Sequence, residues 1–257
     1  MEKLLKMEII AKEEGFFLIA VSGENEISRI AFDPVLKKLD FIDENELSGF
    51  IQQNEYQLRK ILHMKRPETY IVGFTLPFVL TDKKDVAAYN DLNNIVILDR
   101  LDGDNIITVR KTGLKGLMEI YTDGSFSKKK GKGGFAVILK SAEGKYTLNT
   151  YGTKEKSSSL IELLAAIKGL ELTSDEKRVR IVTDSQYVRK GLTEWIVNWR
   201  RNNWLTASGT RVKNIKHWKY FDSLSENKYI EFKYVKAHSD QFENTMADLY
   251  AKDMAER

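Results

Sequence analysis

The chain has 257 residues, 42% of them apolar and 30% charged, a formal net charge of +4 and no cysteine. This length and balance admit one large domain or two modest ones around a real core, while the missing cysteines exclude disulfides and thiolate metal sites. No apolar run approaches the roughly 20 residues of a spanning helix, and acids interrupt MEKLLKMEIIAKEEG where a signal core would lie, so a cytoplasmic protein without membrane contact is expected.

In chain order, FFLIAV, RIAF, ETYIVGF and NIVILD read as strands, and ENELSGFIQQNEYQLRKILHM has the three- and four-residue apolar spacing of a helix. These elements predict a small α+β domain. The glycine-containing segment RLDGDNIITVRKTGLKG has no helical period, which places a linker at residues 111–116 and divides the chain into domains 1–116 and 117–257. Charge divides at the same place: 16 basic against 19 acidic residues before Leu117, then 25 against 18, or −3 and +7. The basic half is the candidate for a polyanionic partner, although a merely soluble basic surface explains the charge equally well. For the acidic half the expected role is a protein partner or self-association, with one local basic face at His63, Lys65 and Arg66.

Residues 117–123, 134–140 and 145–152 read as close-set strands, followed by a helix from Leu160, a fourth strand at 178–184, further helices, a fifth strand at 229–237 and a last helix from Glu243. Close-set strands imply an antiparallel meander, and the later strand–helix–strand order implies parallel crossovers. The expected sheet is mixed.

Two strands end alike, MEIYTDG at 118–124 and VRIVTDS at 179–185, each with apolar residues five and three places before an aspartate. If those strands are parallel neighbours, roughly 4.8 Å apart, Asp123 and Asp184 sit side by side, and such a pair needs a cation or a proton between its members. Either aspartate alone is equally explained as a cap of the following turn. Glu162 lies among Leu160, Ile161, Leu163 and Leu164, yet Ser159 and Glu162 also have the spacing of a capping box. His238 follows the fifth strand and Asp248 lies ten residues on; singly, His238 reads as a hydrogen-bonded surface residue. Together, several acids with one histidine and no cysteine offer hard ligands suited to Mg²⁺ or Mn²⁺, and the chemistry implied is phosphoryl transfer.

All four tryptophans fall in residues 195–219, with six lysines or arginines and no acid. Trp195 and Trp199 share a helix face, and core packing is the expectation for each ring taken singly.

The segments YTDGS, IELLAAIKGLE, VTDSQYV, the stretch from WIVNWRRNNW to VKNIKHW, and VKAHSDQFENTMAD resemble bacterial-type ribonuclease H, in order and at matching spacings over essentially all of residues 117–257. The resemblance implies an α/β, ribonuclease H-like fold, a five-stranded mixed sheet flanked by helices, here preceded by the small α+β domain. It implies cleavage of the RNA strand of an RNA/DNA hybrid. Asp123, Glu162, Asp184 and Asp248 match the family's acidic quartet, which holds two divalent ions, Mg²⁺ or Mn²⁺, and His238 matches its mobile histidine. The basic stretch looks like the arm that grips the DNA strand, with Arg200, Arg201, Trp204, Arg211, Lys213, Lys216 and Lys219 available to it. Gln186 and Asn244 match positions that contact or support the hybrid. Two stretches depart from the family pattern: Ser157 to Leu160, where Ser158 stands in for the usual amides, and the loop Lys128, Lys129, Lys130 and Lys132. The metal chemistry is expected to survive these departures, while recognition of the 2′-hydroxyl is where they fall. A catalytically silent nucleic-acid-binding module with the same fold is the alternative reading.

Overall fold

The computed structural model describes residues 3–23, 25–63, 66–67, 70–80, 95–103, 105–206, 208–235 and 241–257. By contacts the chain forms two compact units, residues 1–91 with 197–212, and residues 92–196 with 213–257. None of the helices among the described residues is long and apolar enough to cross a membrane.

The first unit is built on an antiparallel sheet of β1 (Lys3–Glu13), β2 (Phe16–Ser22), β3 (Ile27–Asp33), β4 (Lys38–Phe41) and β5 (Thr75–Leu80), in the order β4-β3-β2-β1-β5. Alternate residues bury one face: Leu5, Met7 and Ile9 of β1, Phe17, Ile19 and Val21 of β2, and Ile30 and Phe32 of β3. Helices α1 (Glu46–Gln53) and α2 (Glu55–Leu62) supply Leu47, Ile51, Leu58 and Ile61 to the same core. The single helix expected here breaks at Asn54, whose φ of −112° and ψ of 19° leave the helical path. ETYIVGF is corrected too. Its described part, residues 70–74, is a turn, because Gly73 takes φ +82°, and the strand begins only at Thr75. β1 falls in MEKLLKMEIIAKEEG, where no strand is expected; it forms because the acid Glu8 alternates with the buried residues Leu5, Met7 and Ile9 and leaves their face apolar.

The second unit holds a seven-stranded mixed sheet in the order β10-β9-β8-β11-β12-β6-β7. Its strands are β6 (Ile95–Asp99), β7 (Ile106–Arg110), β8 (Met118–Ser127), β9 (Lys132–Lys140), β10 (Tyr146–Thr153), β11 (Arg178–Thr183) and β12 (Tyr229–Tyr234). The five expected strands are present in the expected order, β8 and β12 both parallel to β11. Two more extend the sheet, since β6, the expected NIVILD strand, pairs antiparallel with β12 and carries β7 beyond it. Residues 111–116 therefore join two strands of one sheet. The helices are α3 (Ser158–Leu172), α4 (Gln186–Lys190), α5 (Ile196–Arg201), α6 (Ile215–Leu224) and α7 (Phe242–Glu256), with one wide turn at Gly191–Trp195 between α4 and α5. There Gly191 lies so close to the Trp218 ring that a Cβ would sit 2.0 Å from it.

At the start of the parallel strands an ion network replaces apolar packing. Arg180 bridges Glu119 at 2.6 Å and Glu231 at 2.8 Å, and Glu231 has no exposed surface. The Leu114 N–H and the Tyr229 hydroxyl also donate to Glu231. Removing the cation alone strands buried acids, so Arg180→Met is expected to cost about 3 kcal/mol of stability, read as a lower urea midpoint; an unchanged midpoint would make the network dispensable.

Candidate active site

The parallel register of β8 and β11 pairs Ile181 with Ile120 and Val182 with Tyr121, so Asp123, within β8, and Asp184, just past the end of β11, come from matching positions on neighbouring strands; β8 does not end at the aspartate as expected but runs on to Ser127. The third acid arrives from α3. Gly124 lets that helix approach: a Cβ there would stand 2.8 Å from the Glu162 amide nitrogen and 2.9 Å from the Ile161 carbonyl carbon. Carboxylate oxygens of Asp123, Glu162 and Asp184 all lie within 4.8 Å of one another. The local alternatives for Glu162 and Asp184 fall away. The N-cap of α3 is Ser157, without a side-chain bond, so Ser159 and Glu162 form no capping box. Ser185, and not Asp184, caps α4 through the Val188 N–H.

Such crowding is electrostatically costly. Burial, then the charge of Asp184, raises the Asp123 carboxyl to about 7, against which the Gly124 N–H bond at 2.7 Å and the bond with Glu162 work only in part. Burial, then Asp123 and Asp184, holds the Glu162 carboxyl well above the usual range. Moreover, Glu162 Oε2 is buried and finds no hydrogen-bond partner among the described residues. A buried carboxylate oxygen without a donor, beside two more carboxylates, is the donor set a hard divalent cation requires. The residues present fit such an ion.

Asp248 lies on α7 outside that group of three. It pairs with Lys252 at 2.6 Å, four residues on along the same helix face, and its charge still raises Asp123. Lys252 escaped the sequence reading, although the i, i+4 spacing was visible. His238 lies outside the described residues. Gln186 Oε1, in the first turn of α4, and Asn244 Oδ1, one turn before Asp248 on α7, are both buried without a partner among the described residues. Ser158 is exposed one turn before Glu162, and Lys129 is exposed in the turn between β8 and β9.

The aromatic stretch divides. Trp218 is fully buried and donates from Nε1 to the Tyr187 hydroxyl at 3.0 Å, with Trp195 edge-on to both rings. Trp199 and Trp204 face each other in the other unit, centroids 6.3 Å apart. Arg200, Lys213 and Lys216 are exposed and Trp204 is half-buried. Arg201 has a half-exposed guanidinium that donates to the Gly73 carbonyl and lies 3.5 Å from Glu8.

The RNase H family model matches residues 115–256. A ribonuclease H of Shewanella halifaxensis is 39% identical over 145 residues, 56% of this chain and 89% of that protein. One from Legionella pneumophila strain Corby is 40% identical over 134 residues, 52% of this chain and 93% of its own. Among solved structures, a foamy viral protease–reverse transcriptase in complex with an RNA/DNA hybrid superposes on 98% of this chain and 38% of its own, with TM-score 0.51 and 14% identity, a likeness of fold alone.

Proposed function

Because the chain belongs to the ribonuclease H family and is thereby a nuclease, we propose that it hydrolyses the RNA strand of RNA/DNA hybrids endonucleolytically, leaving 5′-phosphate and 3′-hydroxyl ends. The observation that carries this is the meeting of Asp123, Glu162 and Asp184 within 4.8 Å, with one oxygen of Glu162 buried and unpartnered. Two bound Mg²⁺ or Mn²⁺ ions supply Lewis acidity and a water of lowered pKa. Asp123, Glu162 and Asp184 would hold them, and Asp248, paired with Lys252 in this structure, would be the fourth acid available to them.

The chain's own groups do the rest. Three carboxylates anchored on two strands and a helix present their charge without further ordering, so little reorganisation falls on the reaction itself. In the reaction, a water oxygen bonds to phosphorus, the bond from phosphorus to the 3′ oxygen breaks, and the proton lost by water balances the one gained by that oxygen. His238 is the residue proposed to pass that proton or to help the product leave. Gln186 and Asn244, with buried oxygens still to be satisfied, are proposed to accept hydrogen bonds from the hybrid, a 2′-hydroxyl being the donor that separates RNA from DNA. Exposed Lys129, Arg200, Lys213 and Lys216 add phosphate contacts, which contribute affinity without reading sequence.

The test is incubation of the whole chain with Mg²⁺ or Mn²⁺ and an end-labelled RNA/DNA duplex, beside RNA/RNA and DNA/DNA duplexes. The expected result is cutting confined to the RNA of the hybrid, abolished by EDTA, with products that a 5′-phosphate-dependent exonuclease degrades. Binding of the hybrid without any cutting would turn the conclusion toward the silent module.

A further inference from the structure

Asn198 spends its side-chain amide on the backbone of a residue 123 positions away. Its Oδ1 accepts from the Thr75 N–H at 2.9 Å and its Nδ2 donates to the Thr75 carbonyl at 3.1 Å. Thr75 opens β5, the last strand of its sheet, and on the inner side it faces Glu8 of β1. Its outward N–H and C=O would otherwise project from a sheet edge that carries no further strand among the described residues. A carboxamide carries the same donor and acceptor as a peptide group, so Asn198 stands where a sixth strand would stand. The second attachment is three residues on, at Arg201, which holds the Gly73 carbonyl and Glu8.

Between and beyond these two residues the segment folds on itself. Trp199 packs on Trp204, Leu205 bridges to Arg211, and the Val212 N–H donates to the Trp204 carbonyl. Residues 197–212 form one compact unit with residues 1–91. A basic segment expected on nucleic acid is thus anchored at its base to the five-stranded sheet.

We propose that this sheet is the mount of the basic arm, and that Asn198 is a positioning residue fixing the arm to the edge of β5. The role rests on the reading that the arm grips an RNA/DNA hybrid. Anchoring moves the ordering of the arm into folding, so that binding does not have to supply it. It also gives residues 1–91 a task within the nuclease reaction that their acidic charge does not suggest.

The experiment uses the whole chain and the variant Asn198→Leu, which keeps the side chain's size and removes both hydrogen bonds. Three quantities are read: amide exchange across residues 197–212, the Kd for an RNA/DNA duplex in EDTA, where no turnover occurs, and kcat and KM with Mg²⁺. The expected result is faster exchange in 197–212 with residues 118–184 unchanged, and Kd and KM raised on the order of tenfold, the scale of the ordering an unanchored arm must undergo on binding. The turnover number at saturating hybrid should stay at the wild-type value. Unchanged exchange in the arm, or faster exchange with unchanged Kd, overturns the mount.

Should Asn198→Leu lose protection throughout the chain, Glu8→Gln decides, because it loosens only the second attachment. A raised Kd supports the mount, and a lowered one makes Glu8 a competitor of phosphate for Arg201 and overturns it. Arg200→Ala separates the underlying reading from the mount. If deleting that exposed arm cation leaves Kd unchanged, as Asn198→Leu does, the arm does not grip the hybrid and both fall; if only Asn198→Leu is silent, the mount alone falls.

Discussion

Asp123→Asn is expected to reduce hybrid cutting on the order of a thousandfold or more, because it removes a ligand from the group that holds the charge of the transition state. The same change should stabilise the metal-free protein. Asp123 is raised from an ordinary 3.8 to about 7, by burial first and by Asp184 second. Its folded form therefore binds the proton more tightly than its unfolded form. Stability from this group is fully present below about pH 4 and declines as the pH climbs through 7, where the buried carboxyl must ionise beside its neighbours. The variant should accordingly melt with the wild type near pH 4 in EDTA and above it at pH 8, by on the order of 5 °C. Mg²⁺ should raise the melting temperature of the wild type more than that of the variant, since only binding to the folded state stabilises it. Full cutting by Asp123→Asn, or a lower melting temperature than wild type at pH 8 in EDTA, would separate these acids from metal binding.

Gly124→Ala has the next largest expected effect. The added methyl would lie 2.8 to 2.9 Å from backbone atoms of Ile161 and Glu162, and no side-chain rotation relieves a clash with backbone. Strand β8 and helix α3 must separate, and Glu162 withdraws from Asp123 with its helix. A displacement well under 1 Å suffices to predict a loss in kcat/KM on the order of a hundredfold, with roughly 1–3 kcal/mol of stability lost to overpacking. The Mg²⁺ concentration for half-maximal activity should rise alongside. Gly152→Ala is the control, since its Cβ would meet only the Met254 Cε at 3.8 Å, and its activity should match wild type. Wild-type rates in Gly124→Ala would mean that the approach of α3 does not set the site.

Much of the site was legible because strand periodicity is a local property. The repeated apolar residues five and three places before Asp123 and Asp184 foretold that both acids would emerge on the same side of their strands, and the observed register of β8 and β11 agrees. Glu162 was ambiguous for an equally local reason. Ser159 and Glu162 match a capping box in sequence, and only the start of α3 at Ser158 rules it out. Asp248 illustrates a different gap. The chain supplied the acid at the expected place on the last helix, and its pairing with Lys252 follows from the i, i+4 spacing along one helix face, but whether the acid reaches the other three depends on how that helix meets the sheet.

The sequence by itself determined the chain order of five of the seven strands, the alike ends that bring Asp123 and Asp184 to one side, and the hard-ligand character of the acids that the family resemblance singles out, because strand and helix periods and side-chain chemistry are local. Only the tertiary structure decided that NIVILD joins β12, that α3 can come within reach of Asp123 over Gly124, and that Asn198 closes the edge of β5. The reason is that a strand edge, a helix approach and a free backbone pair are each completed by a partner far along the chain. Local propensity describes what a segment offers; which offer is taken depends on the free edges and faces that remain once the whole chain has packed.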